Sequence, residues 1–152
     1  MNMERYTFSQ FMSSLIKIES MITDFYKDLA EKIESGDLHD MLVKFTQESL
    51  KRLESLNRVT QLSIVEFSLE HITGLNLEDY VLHVDRVIKD ERYNAINKAT
   101  MLENIMQELY SQASKKTTYA SPDASELLER FSQESSKRKL KLLRLLQTSK
   151  TD

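Results

Sequence analysis

Phe45-Thr46-Gln47-Glu48-Ser49-Leu50-Lys51-Arg52 recurs almost unchanged as Phe131-Ser132-Gln133-Glu134-Ser135-Ser136-Lys137-Arg138. Around the first copy, Leu38, Met41, Leu42, Phe45, Leu53, Leu56, Val59 and Leu62 follow the three-four spacing of a buried helical stripe. That spacing predicts a helix over about 38–66. The second copy follows Ser121-Pro122, a capping residue with proline at the first helical position, which predicts a helix over 122–147. Upstream of each copy lies another apolar stripe. Phe8 to Ile33 predicts a helix over 5–35, closed by Gly36 with Asp37 placed to cap its successor, and Ile96 to Ala113 predicts one over 89–115.

The two halves correspond in detail. Glu19 and Tyr26 are seven residues apart in the first helix, as are Glu103 and Tyr110 in the third. Paired positions differ by 84 in the leading helices and by 86 in the following ones, so an insertion falls in the second hairpin loop. Between about 71 and 87, Gly74, Asn76 and the alternation Tyr80-Val81-Leu82-His83-Val84 predict an extended crossover. The expected fold is all-α: an antiparallel four-helix bundle of two repeated hairpins, one domain over residues 1–152.

Composition agrees with long helices, since 152 residues include only two glycines and one proline. The formal charge of −3, with both signs interspersed, argues against a nucleic-acid partner, and the basic run Lys137 to Lys141 reads as a solvated helical turn. Without cysteine there is no disulfide, thiol nucleophile, cysteine-bound zinc or iron–sulfur centre. No apolar run reaches the ~20 residues of a membrane span, and Met1 to Gln10 lacks the plan of a signal peptide, so the expected location is the cytoplasm, off the membrane. Hydrolase triads and phosphate-binding loops are absent from the sequence, and no catalytic residue is assigned.

Glu19, Tyr26, Glu48, Glu103, Tyr110 and Glu134, at these spacings, resemble the rubrerythrin branch of the ferritin-like superfamily. That resemblance implies a di-metal centre in which helices 1 and 3 each give a bridging glutamate with a tyrosine two turns on, and helices 2 and 4 each give a Glu-x-x-His pair. Glu19, Glu48, Glu103 and Glu134 then occupy the four carboxylate positions as possible or vestigial metal ligands. This chain departs from the pattern where the histidines belong, with Lys51 and Lys137 in their place. A further carboxylate of the family would fall at Met106, and the cysteine-bound iron domain of full rubrerythrins has no counterpart. His39, His71 and His83 lie away from the midpoint where the glutamates converge, so none reads as a replacement ligand.

A lysine ammonium has three donors and no lone pair, so at neutral pH it repels a cation. The favoured expectation is a metal-free cluster, with Lys51 and Lys137 paired to the four glutamates and bonded by Tyr26 and Tyr110, in a protein without catalysis. An exposed ion pair is the ordinary reading of one Glu-x-x-Lys, but duplication within matching segments points inward. Three alternatives stay open: a single manganese, iron or magnesium ion, a divergent di-metal oxidoreductase handling iron, oxygen or peroxide, and an anionic or zwitterionic small molecule held in the interior. Related bundles often pair, so a homodimer is expected, with any other protein partner unspecified.

Overall fold

The computed structural model describes residues 5–64 and 71–151. Among them the chain is almost entirely helical: α1 (Phe8–Lys32), α2 (Asp37–Ile64), α3 (Leu77–Lys89), α4 (Ala95–Thr117) and α5 (Pro122–Thr151). The end of the expected second helix, residues 65 and 66, lies outside the described residues. One short antiparallel pairing, β1 (Arg5–Tyr6) with β2 (Ile72–Thr73), adds the only strands among the described residues.

Local signals fix most boundaries. Thr7 and Gln10 form a reciprocal capping box, each side chain bonding the other's backbone N–H, and this starts α1 at Phe8 instead of near residue 5. Residues 5 and 6 are then free to pair with β2, and the Tyr6 hydroxyl accepts a bond from the Leu77 N–H at 3.0 Å. Ser121 Oγ accepts from the Ala124 N–H at 3.1 Å and Pro122 opens α5, as the Ser-Pro signal indicates. The first hairpin turns at Gly36, whose φ of 99° is left-handed. His39 Nδ1 lies 2.9 Å from the Ala30 carbonyl and 2.6 Å from that of Ile33, tying α2 to the end of α1. A Cβ at Gly36 meets nothing within 4 Å, so Gly36→Ala tests conformation alone. It is expected to lower stability by ~1–2 kcal/mol in urea unfolding; an unchanged midpoint would contradict this reading of the turn.

The crossover requires a correction. Residues 77–89 are helical, not extended, because the alternation read from Tyr80 to Val84 is part of a 3.6-residue stripe. Leu77, Val84 and Val87 are buried, Tyr80, Val81 and Ile88 are partly so, and Leu82 and His83 face solvent. Asn76 caps α3 by accepting from the Asp79 N–H, and residues 90–94 form the link that delays the next helix to Ala95.

α1 packs on α2 and α4 on α5, each pair joined by a short link, which makes two antiparallel hairpins. α3 lies against α1 and α4, while α2 approaches α5 on another side. The core between them includes Phe11, Leu15, Ile22, Phe45, Leu102, Leu109 and Leu128. No helix among the described residues is long and apolar enough to cross a membrane.

Candidate functional site: a buried arginine–glutamate–tyrosine cluster

The stripe that α2 turns inward runs Leu42, Phe45, Ser49, Arg52, Leu56 and Val59, and α5 turns in Leu128, Phe131, Ser135, Arg138 and Leu142. Both repeats therefore place a serine and an arginine at buried positions. Arg52 and Arg138 are each only 2% exposed, whereas Lys51 and Lys137 are exposed. The expectation that these lysines are cluster partners is corrected: the inward cation in each repeat is the next residue. One step along a helix is about 100°, so Lys51 cannot share the direction of Arg52.

Glu19 and Glu103 are fully buried, as are Tyr26 and Tyr110, while Glu48 and Glu134 are about 40% exposed. Arg52 Nη1 lies 3.4 Å from Glu19 Oε1, and its Nε donates to Glu134 Oε1 at 3.2 Å. Arg138 mirrors it, with Nη1 3.5 Å from Glu103 Oε2 and Nε 3.3 Å from Glu48 Oε1. Each arginine also reaches the serine of the other repeat, Arg52 to Ser135 Oγ at 3.3 Å and Arg138 to Ser49 Oγ at 3.1 Å. Their guanidinium carbons sit 5.3 Å over the Phe131 ring and 5.0 Å over the Phe45 ring. Tyr26 donates to Glu103, and Tyr110 to Glu19.

Most of these contacts cross between the halves, while the ion pairs Arg52–Glu19 and Arg138–Glu103 stay within one. The arginine of one repeat uses the Phe, Glu and Ser of the other, and the tyrosine of one half bonds the buried glutamate of the other. The eight-residue segment is thus a reciprocal clasp, which gives a physical reason for its appearing twice. A single copy would leave its arginine with the buried glutamate of its own half but without the phenylalanine, serine and second carboxylate of the opposite helix.

Burial opposes the charge on both arginines, but nearby carboxylates prevail. Glu19 and Glu103 raise the pKa of Arg52 further above the usual guanidinium value, and Glu103 leads in raising that of Arg138. Burial, followed by the adjacent glutamate, also raises both tyrosines well above 10, Tyr26 beside Glu103 and Tyr110 beside Glu19. A raised folded-state pKa favours the protonated form, so the stability these hydroxyls contribute is complete below pH ~10 and declines as the unfolded chain ionises above it. In an alkaline titration followed at 295 nm, Tyr26 and Tyr110 should not ionise until the far-UV circular dichroism of the helices is lost. Ionisation of all six tyrosines with native dichroism retained would contradict the buried bonds.

Comparison with protein-family models, curated proteins and solved structures finds no match. Among the described residues no group of three or more histidine, aspartate or glutamate side chains is arranged to hold a metal ion. Two guanidinium groups occupy the carboxylates, and His71 and His83 are exposed. This donor set does not fit a pair of divalent ions, which would need those oxygens and repel both arginines. Glu19 Oε2, Glu103 Oε1 and Arg52 Nη2 are buried without a hydrogen-bond partner among the described residues.

Arg52, Arg138, Ser49 and Ser135 are the site residues that sequence reasoning missed. Their signal was available: stepping four and then three residues from each repeat's phenylalanine leads to the serine and then the arginine, and onward to Leu56 or Leu142.

Proposed function

We propose that this chain is a ferritin-like bundle of the rubrerythrin branch in which an arginine–glutamate–tyrosine cluster has replaced the di-metal centre, leaving a binding or structural protein. The observation that carries this reading is the seat of the two guanidinium groups. Arg52 Nη1 and Arg138 Nη1 lie 3.4 and 3.5 Å from the buried glutamates whose positions the resemblance assigns to metal bridging. Two guanidinium charges balance two of the four carboxylates, and the tyrosine hydroxyls bond the most deeply buried pair. The ionic role of lysine foreseen from the sequence passes to arginine, whose planar fork reaches several acceptors at once.

A second reading, a divergent di-metal oxidoreductase using Glu19, Glu48, Glu103 and Glu134 on iron or manganese, draws on one observation. Glu19 Oε2 and Glu103 Oε1 are buried acceptors with no partner among the described residues. It requires both arginines to swing away, which would forfeit their ion pairs and their contacts with Ser49 and Ser135.

Metal content separates the two. After incubation with excess ferrous iron or manganese and removal of unbound metal, mass spectrometry should find well below one ion per chain. About two ions per chain, with peroxide reduction lost on Glu48→Ala, would establish the second reading instead.

A further inference from the structure

Between α2 and α5 a cleft of about 410 Å³ opens above the buried cluster. Arg52, Arg138 and Phe131 are its buried lining residues, and Lys51, Lys137, Lys141 and Arg130 are its exposed ones. Among the described residues Glu48 and Glu134 are its only carboxylates, and each is already held by an arginine of the opposite repeat. Six cationic side chains therefore meet these two engaged carboxylates and the buried Glu19 and Glu103 that hold Arg52 and Arg138, a surplus of two positive charges in a chain whose formal net charge is −3. That concentration is local, not a property of the whole surface.

Among the described residues Lys51, Lys137, Lys141 and Arg130 form no ion pair, so the cleft presents four cations with no anion assigned to them. Arg52, almost fully buried and lining the cleft, keeps its Nη2 without a hydrogen-bond partner among the described residues. Clustered like charges around a concavity raise the local concentration of counter-ions, and the low-dielectric wall that Phe131 supplies strengthens the field.

We infer that this cleft binds a small polyanion, a molecule with two or more negative charges on phosphate or carboxylate oxygens, between the lysines of the two repeats. Lys51 and Lys137 hold equivalent positions in the repeats, so the recognition groups come in a pair suited to a ligand with an anionic group at each end. Ammonium groups on flexible stems act as point charges towards either kind of oxyanion, whereas the charges of the buried arginines are taken up by Glu19, Glu48, Glu103 and Glu134, so the exposed cations carry the recognition. The inference stands on the cleft itself and needs neither ferritin-like ancestry nor the absence of metal.

Calorimetric titration of the full chain with inorganic pyrophosphate and, separately, with citrate tests it. Near physiological salt, one or both should bind saturably at about one per chain, and the arm that binds distinguishes phosphate from carboxylate chemistry. Lys51→Gln/Lys137→Gln should weaken that binding about tenfold or more without lowering the melting temperature, because both side chains are exposed and unpaired. Lys27→Gln/Lys115→Gln, exposed lysines outside the cleft, should leave it unchanged. No saturable binding of either probe, or equal loss in both double variants, overturns the inference.

Discussion

Arg52→Met should destabilise the protein by about 3–5 kcal/mol, which for a chain of this size lowers the melting temperature by roughly 10 °C. Methionine fills much of the space of the arginine stem, so the expected loss comes from charge. Glu19 would keep its bond from Tyr110 but lose its ion-pair partner, in a place with no solvent exposure. Glu134, about 40% exposed, would lose its partner at little cost because water can take over. Arg52→Met/Glu19→Gln should therefore be more stable than Arg52→Met alone. A double-mutant cycle should return a coupling of ~2 kcal/mol for Arg52 with Glu19, and well below 1 kcal/mol for Arg52 with Glu134. Equal couplings for the two glutamates would show that Glu19 is not the buried partner.

Removing both cations should create a metal requirement that the parent does not have. Arg52→Ala/Arg138→Ala leaves Glu19, Glu103, Glu48 and Glu134 facing a space without compensating charge. A divalent ion that binds only the folded form stabilises it by ~2.7 kcal/mol at a hundred times its dissociation constant. Addition of manganese should raise the melting temperature of the double variant by roughly 5–10 °C while leaving the parent within a degree. A parent that responds as strongly as the variant would mean that the arginines do not hold the place of metal.

How much of this was legible beforehand depended on whether a feature was written in periodicity or in direction. The four long helices were readable because their apolar residues recur over many turns, and Ser121-Pro122 marked a start by a local bond that needs no tertiary context. α3 was not readable, since in thirteen residues the β-branched sequence Tyr80-Val81-Leu82-His83-Val84 fits a strand period as well as a helical one until Leu77 and Val87 are known to be buried. The buried pairs Glu19–Tyr110 and Glu103–Tyr26 were anticipated as residues but not as partners, because which half's tyrosine meets which half's glutamate depends on how the hairpins face each other. Lys51 and Arg52 differ by one step of helical phase: the family motif points to the position of Lys51, whereas the chain's own stripe through Ser49 and Leu56 passes through Arg52.

The placement of Arg52 and Arg138 among the carboxylates is tested most directly by a crystal structure at atomic resolution, from crystals soaked in manganese and measured at its absorption edge. The expected map has both guanidinium groups in hydrogen-bonding range of Glu19 and Glu103, with no anomalous peak between the four helices. Two anomalous peaks bridged by Glu19 and Glu103, with the arginines turned outward, would contradict it.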